Sequence, residues 1–251
     1  LFTIFWINVR IGFTQRSAAS ANMNEIEIKI ALPERQLKRL RESDVVASVQ
    51  IGPAKRQHLR SVYVDTAERD RAKAGAASRI RESDGRRVQT LKMPLAERAV
   101  AQAFSEIEMP VDDDKPSLDG ISDNRARRLL TRRSTLRRLV PIFTTEIERE
   151  LVEARFSGSD IEIAFDRGVI RGGRRRVKVS EAELELKSGS RGHLFEMALA
   201  LHKAVPLRLE PRTKAERGYS LVDKGSPTAA ERAAPIELEK GATARTAFAA
   251  I

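Results

Sequence analysis

One pattern limits the folds open to this chain more than any other: charged and aliphatic residues alternate, segment after segment. In "NEIEIKI" (24–30), Glu25, Glu27 and Lys29 alternate with Ile26, Ile28 and Ile30. Successive side chains of a strand point to opposite faces, so this stretch is a strand with one isoleucine face and one charged face. The rhythm returns in "LRSVYVDT" (59–66), "ASRIRES" (77–83), "RRVQTLKM" (86–93), "AFSEIEMPV" (103–111), "FTTEIERELVEA" (143–154), "SDIEIAFDRGVIR" (159–171) and "EAELELKSG" (181–189). A terminal "RLEPRTKAERGYSL" is a further strand candidate, which makes about eight or nine in all. Asp84-Gly85 between two of them is a hairpin signal.

Helical spacing appears between the strands. "PERQLKRLRES" (33–43) opens with Pro and repeats Leu37 and Leu40. "NRARRLLTRRSTLRRLV" (124–140) sets leucines among seven arginines, and "HLFEMALALHKAV" (193–205) is the most apolar helix. Strands dominate and helices punctuate them, so the expected class is α+β with an antiparallel sheet or barrel.

The ends have a different texture. Residues 1–22 carry an apolar run interrupted by Asn8 and Arg10, too short to span a membrane, and Met23 is expected to be the true start. A main domain over 23–223 is followed by a linker at 224–235 ("KGSPTAAERAAP"), and 236–251 begins something new, with Thr243 placed to cap a helix.

The chemistry lies in the charged faces. "ELELK" (183–187) echoes "EIEIK" (25–29), and Glu106 and Glu108 form a third alternating pair. Asp166 shares a face with Glu162, Arg79 shares one with Arg81, and Thr90 with Lys92, while Arg149 and Lys214 are further basic candidates. Singly, each is a solvated strand face or a surface ion pair of little energetic weight. Together they describe many strands with one aliphatic and one charged side. Helices can cover the aliphatic side, and closure of the sheet brings the charged sides together inside a polar barrel. Charges so buried must be paired or must bind something. Carboxylates suit a hard divalent cation such as Mg²⁺ or Mn²⁺, and Arg and Lys suit phosphate oxygens. A cavity with both is equipped for metal-assisted phosphoryl transfer. Arg149 has the strand parity of Ile147 and Leu151, so alternation alone sends it to the apolar side.

Taken in order, "EIEIK", "VYVDT", "SRIRE", "QTLKMP", "SEIEM", "FTTEIERE", "IEIAFDRGVI", "EAELELKSG" and "TKAERGYSL" resemble the CYTH domain, or triphosphate tunnel metalloenzyme family, over roughly 23–223. "IEIAFDRG", "ELELKSG" and "KAERGYSL" are most similar to its bacterial inorganic triphosphatase branch, in which a CHAD domain often follows; "PIELEKGATARTAFAAI" looks like the start of one. The resemblance implies an eight-stranded antiparallel barrel forming a tunnel, with helices outside. It implies hydrolysis of inorganic triphosphate to phosphate and pyrophosphate with two divalent ions, Mg²⁺ or Mn²⁺, and no covalent intermediate. Glu25, Glu27, Glu106, Asp166, Glu183 and Glu185 are the implied metal ligands. Lys29, Arg79, Arg81, Lys92, Arg149 and Lys214 are the implied phosphate contacts, with Glu25, Glu27 and Lys29 at the reacting centre. Arg217 is a candidate support for acidic residues at the tunnel mouth.

Other readings differ in substrate or class. Within the family, thiamine triphosphate, a nucleoside triphosphate or cyclisation of ATP are alternatives. Aromatic residues are only 5% of the chain, and Phe104, Phe143, Phe165 and Tyr219 are expected in the core, which favours a substrate without a ring. The net charge of +11 and the arginine-rich 124–140 segment suit a non-catalytic binder of polyphosphate or nucleic acid, but paired carboxylates repel phosphate unless a metal intervenes. The absence of cysteine excludes thiolate sites and fits a reducing, cytoplasmic setting. His58, His193 and His202 form no triad or zinc spacing and are read as structural. No membrane partner is expected, and a homodimer is allowed.

Overall fold

The computed structural model describes residues 21–95, 101–113, 115–117 and 138–223. Residues 1–20 of the expected leader (1–22), the expected arginine-rich helix (124–140) up to residue 137, the linker and the CHAD-like start lie outside the described residues, while residues 21–22 and Val140 fall in strands. Eight long strands are β1 (Ala21–Ala31), β2 (Lys55–Asp65), β3 (Ala77–Ser83), β4 (Arg86–Pro94), β5 (Gln102–Pro110), β6 (Val140–Phe156), β7 (Ser159–Gly172) and β8 (Arg175–Ser188). The first of these begins ahead of Met23, pairing Ala21 with Glu108.

All neighbours are antiparallel, in the order β5-β4-β3-β2-β6-β7-β8-β1, and β1 also pairs with β5. That last pairing closes the sheet into the expected barrel. The closing strand does this by dividing its length: residues 21–27 pair with β5 and residues 27–31 with β8. The Asp84-Gly85 signal is realised as a tight hairpin with φ of 51° and 72°, the left-handed pair that a two-residue hairpin turn of matching twist requires.

The isoleucine faces point outward. Ile28, Ile30, Ile161, Ile163 and Leu184 are covered by α1 (Glu34–Arg41), α2 (Asp44–Val49) and α4 (Arg191–Ala204), through Leu37, Leu40, Val46, Leu194, Met197 and Leu201. Each of these side chains is worth about 1.5–3 kcal/mol when fully buried, so this layer is a main source of stability. The second helix was not expected, because "DVVASV" reads as β-branched; Ser43 starts it by accepting a hydrogen bond from the Val46 N–H. A short α3 (Asp70–Lys73) lies between β2 and β3.

Two expectations need correction. The terminal "RLEPRTKAERGYSL" is not one strand. A two-residue β9 (Arg208–Leu209) pairs with β1, and α5 (Lys214–Val222) follows. Thr213 and Glu216 form a capping box that nucleates this helix. Nor is the barrel interior wholly polar. Leu59, Tyr63, Phe143, Ile147, Ile170 and Val179 point inward at one end and pack against Ala215 and Tyr219 of α5. Gly218 is needed there: a β-carbon would lie 2.1 Å from the Phe143 ring. The helix therefore seats against an apolar floor at one end of the barrel, and charged residues occupy the space above it.

Candidate active site

Above that floor is a cavity of about 1120 Å³. Strand pairing puts the charged residues around it, because directly paired residues share a face. Glu27 pairs with Glu185, Lys29 with Glu183, Lys92 with Glu106, and Arg149 with Asp166. The walls include Glu25, Glu27, Lys29, Arg79, Arg81, Lys92, Glu106, Arg149, Glu183, Glu185 and Lys214, so eleven of the twelve expected residues meet at one cavity. The exception is Asp166, which is fully buried behind Arg149 and Lys214 and is not part of the lining.

Arg149 faces inward with Ile147. Its strand keeps regular register there, and no bulge intervenes. Parity was the right guide, but the assumption that apolar means outward fails, since Phe143 and Ile147 belong to the interior floor.

The cations are held by opposed charges. Lys29 bridges Glu27 and Glu183, the latter at 3.4 Å. Burial opposes its charge, but Glu183 and Glu27 outweigh that and hold the ammonium above its usual value. Lys92 Nζ lies 2.5 Å from Glu25 and 3.1 Å from Glu27. Arg79 donates to Glu106 at 3.2 Å. Lys214 contacts Asp166 at 2.6 Å, Glu181 at 2.5 Å and Glu183 at 2.9 Å, while Arg217 also bonds Glu181. Arg217 thus supports an acid near the floor, not at the mouth. Burial works against the ionised carboxylates of Asp166 and Glu183, yet Lys214 with Arg149, and Lys29 for Glu183, hold both below the usual range.

Two groups depart from this neutralised pattern. Arg81 has no carboxylate partner among the described residues; burial, then Arg79 and Arg149, push it down to about 10. Glu25 is raised, first by burial and then by the nearby Glu106 carboxylate, although Lys92 opposes the shift.

Oxygens of Asp166, Glu181 and Glu183 lie within 4.8 Å of one another, close enough for a metal, but Arg149, Lys214 and Arg217 already engage them. The sequence reading missed Glu181, whose parity matches Glu183, and it missed Tyr63 as a cavity residue, whereas Glu108 and Glu162, placed on charged faces by alternation, do line the cavity. Phe104 is not core: it lines the cavity beneath Lys92, whose Nζ is 4.3 Å from the ring centre. Two histidines make structural hydrogen bonds, His193 Nδ1 with Ser159 Oγ at 2.9 Å and His202 Nδ1 accepting from the Leu207 N–H, while His58 is exposed beside Glu148. No described helix is long and apolar enough to cross a membrane.

Comparison with known proteins bears on the family and the fold. The family model for the CYTH domain matches residues 23–219. An inorganic triphosphatase of Haemophilus influenzae is 40% identical over 86 residues, which is 34% of this chain and 24% of that relative's length. Among solved structures, a Hippeastrum protein assigned as an adenylyl cyclase, with a dominant triphosphatase activity, matches with a TM-score of 0.58 and 20% identity, covering 78% of this chain and 95% of that one. A Bacillus halodurans protein assigned as an adenylate cyclase matches with a TM-score of 0.53 and 19% identity, covering 76% and 94%. At such identities these structures show the fold alone.

Proposed function

The chain belongs to the CYTH domain family, and on that premise we propose that it is a divalent-metal-dependent hydrolase of inorganic triphosphate, releasing phosphate and pyrophosphate. The observation that carries this reading is the single cavity in which Glu25, Glu27, Glu106, Glu183 and Glu185 face Lys29, Arg79, Arg81, Lys92, Arg149 and Lys214. A polyanion needs the cations, and the carboxylates would repel it unless a metal lay between them.

The residues fit such a metal. Carboxylates of Glu25, Glu27 and Glu106 converge on the Lys92 ammonium within 4.0 Å, an arrangement of oxygens that a divalent ion could also serve. Carboxylate oxygen is the donor that Mg²⁺ and Mn²⁺ prefer. Glu25, Glu27, Glu106, Glu183 and Glu185 would hold the metal, which when bound supplies charge neutralisation and activation of water. Asp166 is better used as the anchor of Arg149 and Lys214, because it stands behind them. Arg79, Arg81 and Arg149 would grip phosphate oxygens through planar forks, and Lys29 and Lys92 would balance charge that develops during transfer.

A purified, folded protein should release phosphate from tripolyphosphate with Mg²⁺ or Mn²⁺. Glu27→Ala and Arg81→Ala should abolish release while circular dichroism stays native, and full activity in both variants would overturn the assignment. Two of the fold neighbours are assigned as cyclases, so ATP and thiamine triphosphate belong in the same panel. The walls offer Phe104 and Tyr63 as aromatic surfaces. Lys92 lies over the Phe104 ring, and Phe143 stacks on Tyr63. Both rings are therefore engaged, which supports a substrate without a ring.

A further inference from the structure

We propose that Tyr63 is a phosphate-binding residue of this cavity: its phenol donates a hydrogen bond to the phosphate group held deepest, completing a subsite with Arg79 and Arg81. The inference rests on the triphosphate reading above and adds a residue that the charge pattern does not reveal.

Three geometric facts lead to it. First, Tyr63 lines the cavity, only 3% exposed, and is paired in register with Arg79 on one side and Phe143 on the other. Its ring stacks on Phe143 with centroids 4.4 Å apart and planes 17° from parallel, which fixes where the hydroxyl points. Second, the phenol stands beside the Arg79 guanidinium across the paired strands, and its proton has no acceptor among the described residues. Buried donors are satisfied in native proteins, so an idle one facing a cavity marks a place for a ligand acceptor. Third, the neighbouring Arg81 makes no ion pair with a carboxylate among the described residues, and Glu106 acts on it only at longer range. Tyr63 and Arg81 lie on adjacent paired strands, so the idle donor and the unpaired guanidinium can serve one ligand.

The choice of a phenol makes electrostatic sense. Arg79 and Arg81 approach from β3 and Lys214 from α5, whereas β6 presents the Phe143 ring. A further cation would add to the repulsion that already weakens Arg81. A phenol supplies a donor without a charge. The other tyrosine behaves differently: Tyr219 gives its proton to Asp65 at 3.1 Å, and burial and Asp65 drive it well above its usual value. For Tyr63, burial works upward, but Arg79, Arg81 and Lys214 prevail and lower it.

The chain contains only two tyrosines, so tyrosinate absorbance reads both directly. In the full chain one phenol should ionise below 10.0 and the other above it. Tyr63→Phe should remove the lower titration and Tyr219→Phe should not. Saturation with hydrolysis-resistant diimidotriphosphate and Mg²⁺ should raise the lower titration by about one pH unit or more, because the anion opposes phenolate formation. By calorimetry, Tyr63→Phe should weaken the same probe about tenfold to a hundredfold, the range for a lost hydrogen bond to a charged acceptor. Probe binding that leaves the lower titration unmoved, or equal affinity in Tyr63→Phe, overturns the role of Tyr63 and leaves the triphosphate site standing. No probe binding by the unaltered protein overturns both.

Discussion

Arg149 and Asp166 face each other across β6 and β7 and are joined by two parallel hydrogen bonds of 2.7 Å, from Nε to Oδ1 and from Nη2 to Oδ2. The Lys214 ammonium closes on the same carboxylate at 2.6 Å. One fully buried acid therefore ties a strand arginine to the first residue of α5. This joins the floor helix to the cavity wall by charge as well as by apolar packing.

Asp166→Asn keeps the shape and removes the charge, leaving two cations with too little compensation. Breaking a buried pair in this way costs about 3–5 kcal/mol. For a domain of this size that lowers the melting midpoint by on the order of 10 °C. A variant that melts with the parent and instead loses metal affinity would show that Asp166 is a ligand and not an anchor.

Arg81 predicts the opposite trade. It lies near Arg79 and Arg149 and forms no ion pair with an acid among the described residues. Arg81→Met should therefore raise the stability of the ligand-free protein, by roughly 0.5–2 kcal/mol, while abolishing triphosphate binding. Denaturant midpoints and calorimetry on the same preparation check both halves. A loss of stability would mean that the guanidinium has a structural partner in the folded chain.

How much of this was legible depended on whether neighbours in sequence differ in polarity. In Glu25–Ile30 and Glu183–Lys187 every second residue changes class, so strand, face and side follow at once. In "VYV" every residue is apolar, and nothing local says that Tyr63 faces in; only its pairing with Arg79 does. The same limit applies to Phe143 and Ile147, whose inward direction depends on α5 packing against the barrel floor. That helix was itself readable from Thr213 and Glu216, a capping-box spacing overlooked beside the more conspicuous alternation.

Acid titration should separate two kinds of carboxylate. Asp166 and Glu183 are held below their usual values, so their stabilisation is present above the unfolded values of 3.8 and 4.5 and is lost as pH falls through the folded ones. Glu25 is raised, so its contribution is complete below 4.5 and is lost as pH rises through its folded value. In metal-free buffer, Glu25→Gln should therefore gain on the parent in melting temperature as pH rises from 4.5 towards 7. Added Mg²⁺ should restore the parent at neutral pH and do little for the variant. A parent whose midpoint ignores Mg²⁺ at neutral pH would remove Glu25 from the metal site.

Gly218 and Phe143 offer the most direct test of how the floor is built. A β-carbon at Gly218 would lie 2.1 Å from one ring carbon of Phe143 and 2.4 Å from two more. The ring cannot swing aside freely, because Tyr63 stacks on it and Tyr219 meets it edge-on at 5.2 Å. Gly218→Ala should cost about 1–3 kcal/mol through overpacking, despite the better helix propensity of alanine. Phe143→Leu removes the obstructing carbons and has its own cost for the smaller side chain. In that background the alanine should be neutral or favourable, because the clash is gone and only propensity remains. Chemical denaturation of the two single variants and the double variant gives the coupling energy. Simple additivity would show that the helix does not press on Phe143, and the account of the barrel floor would fall with it.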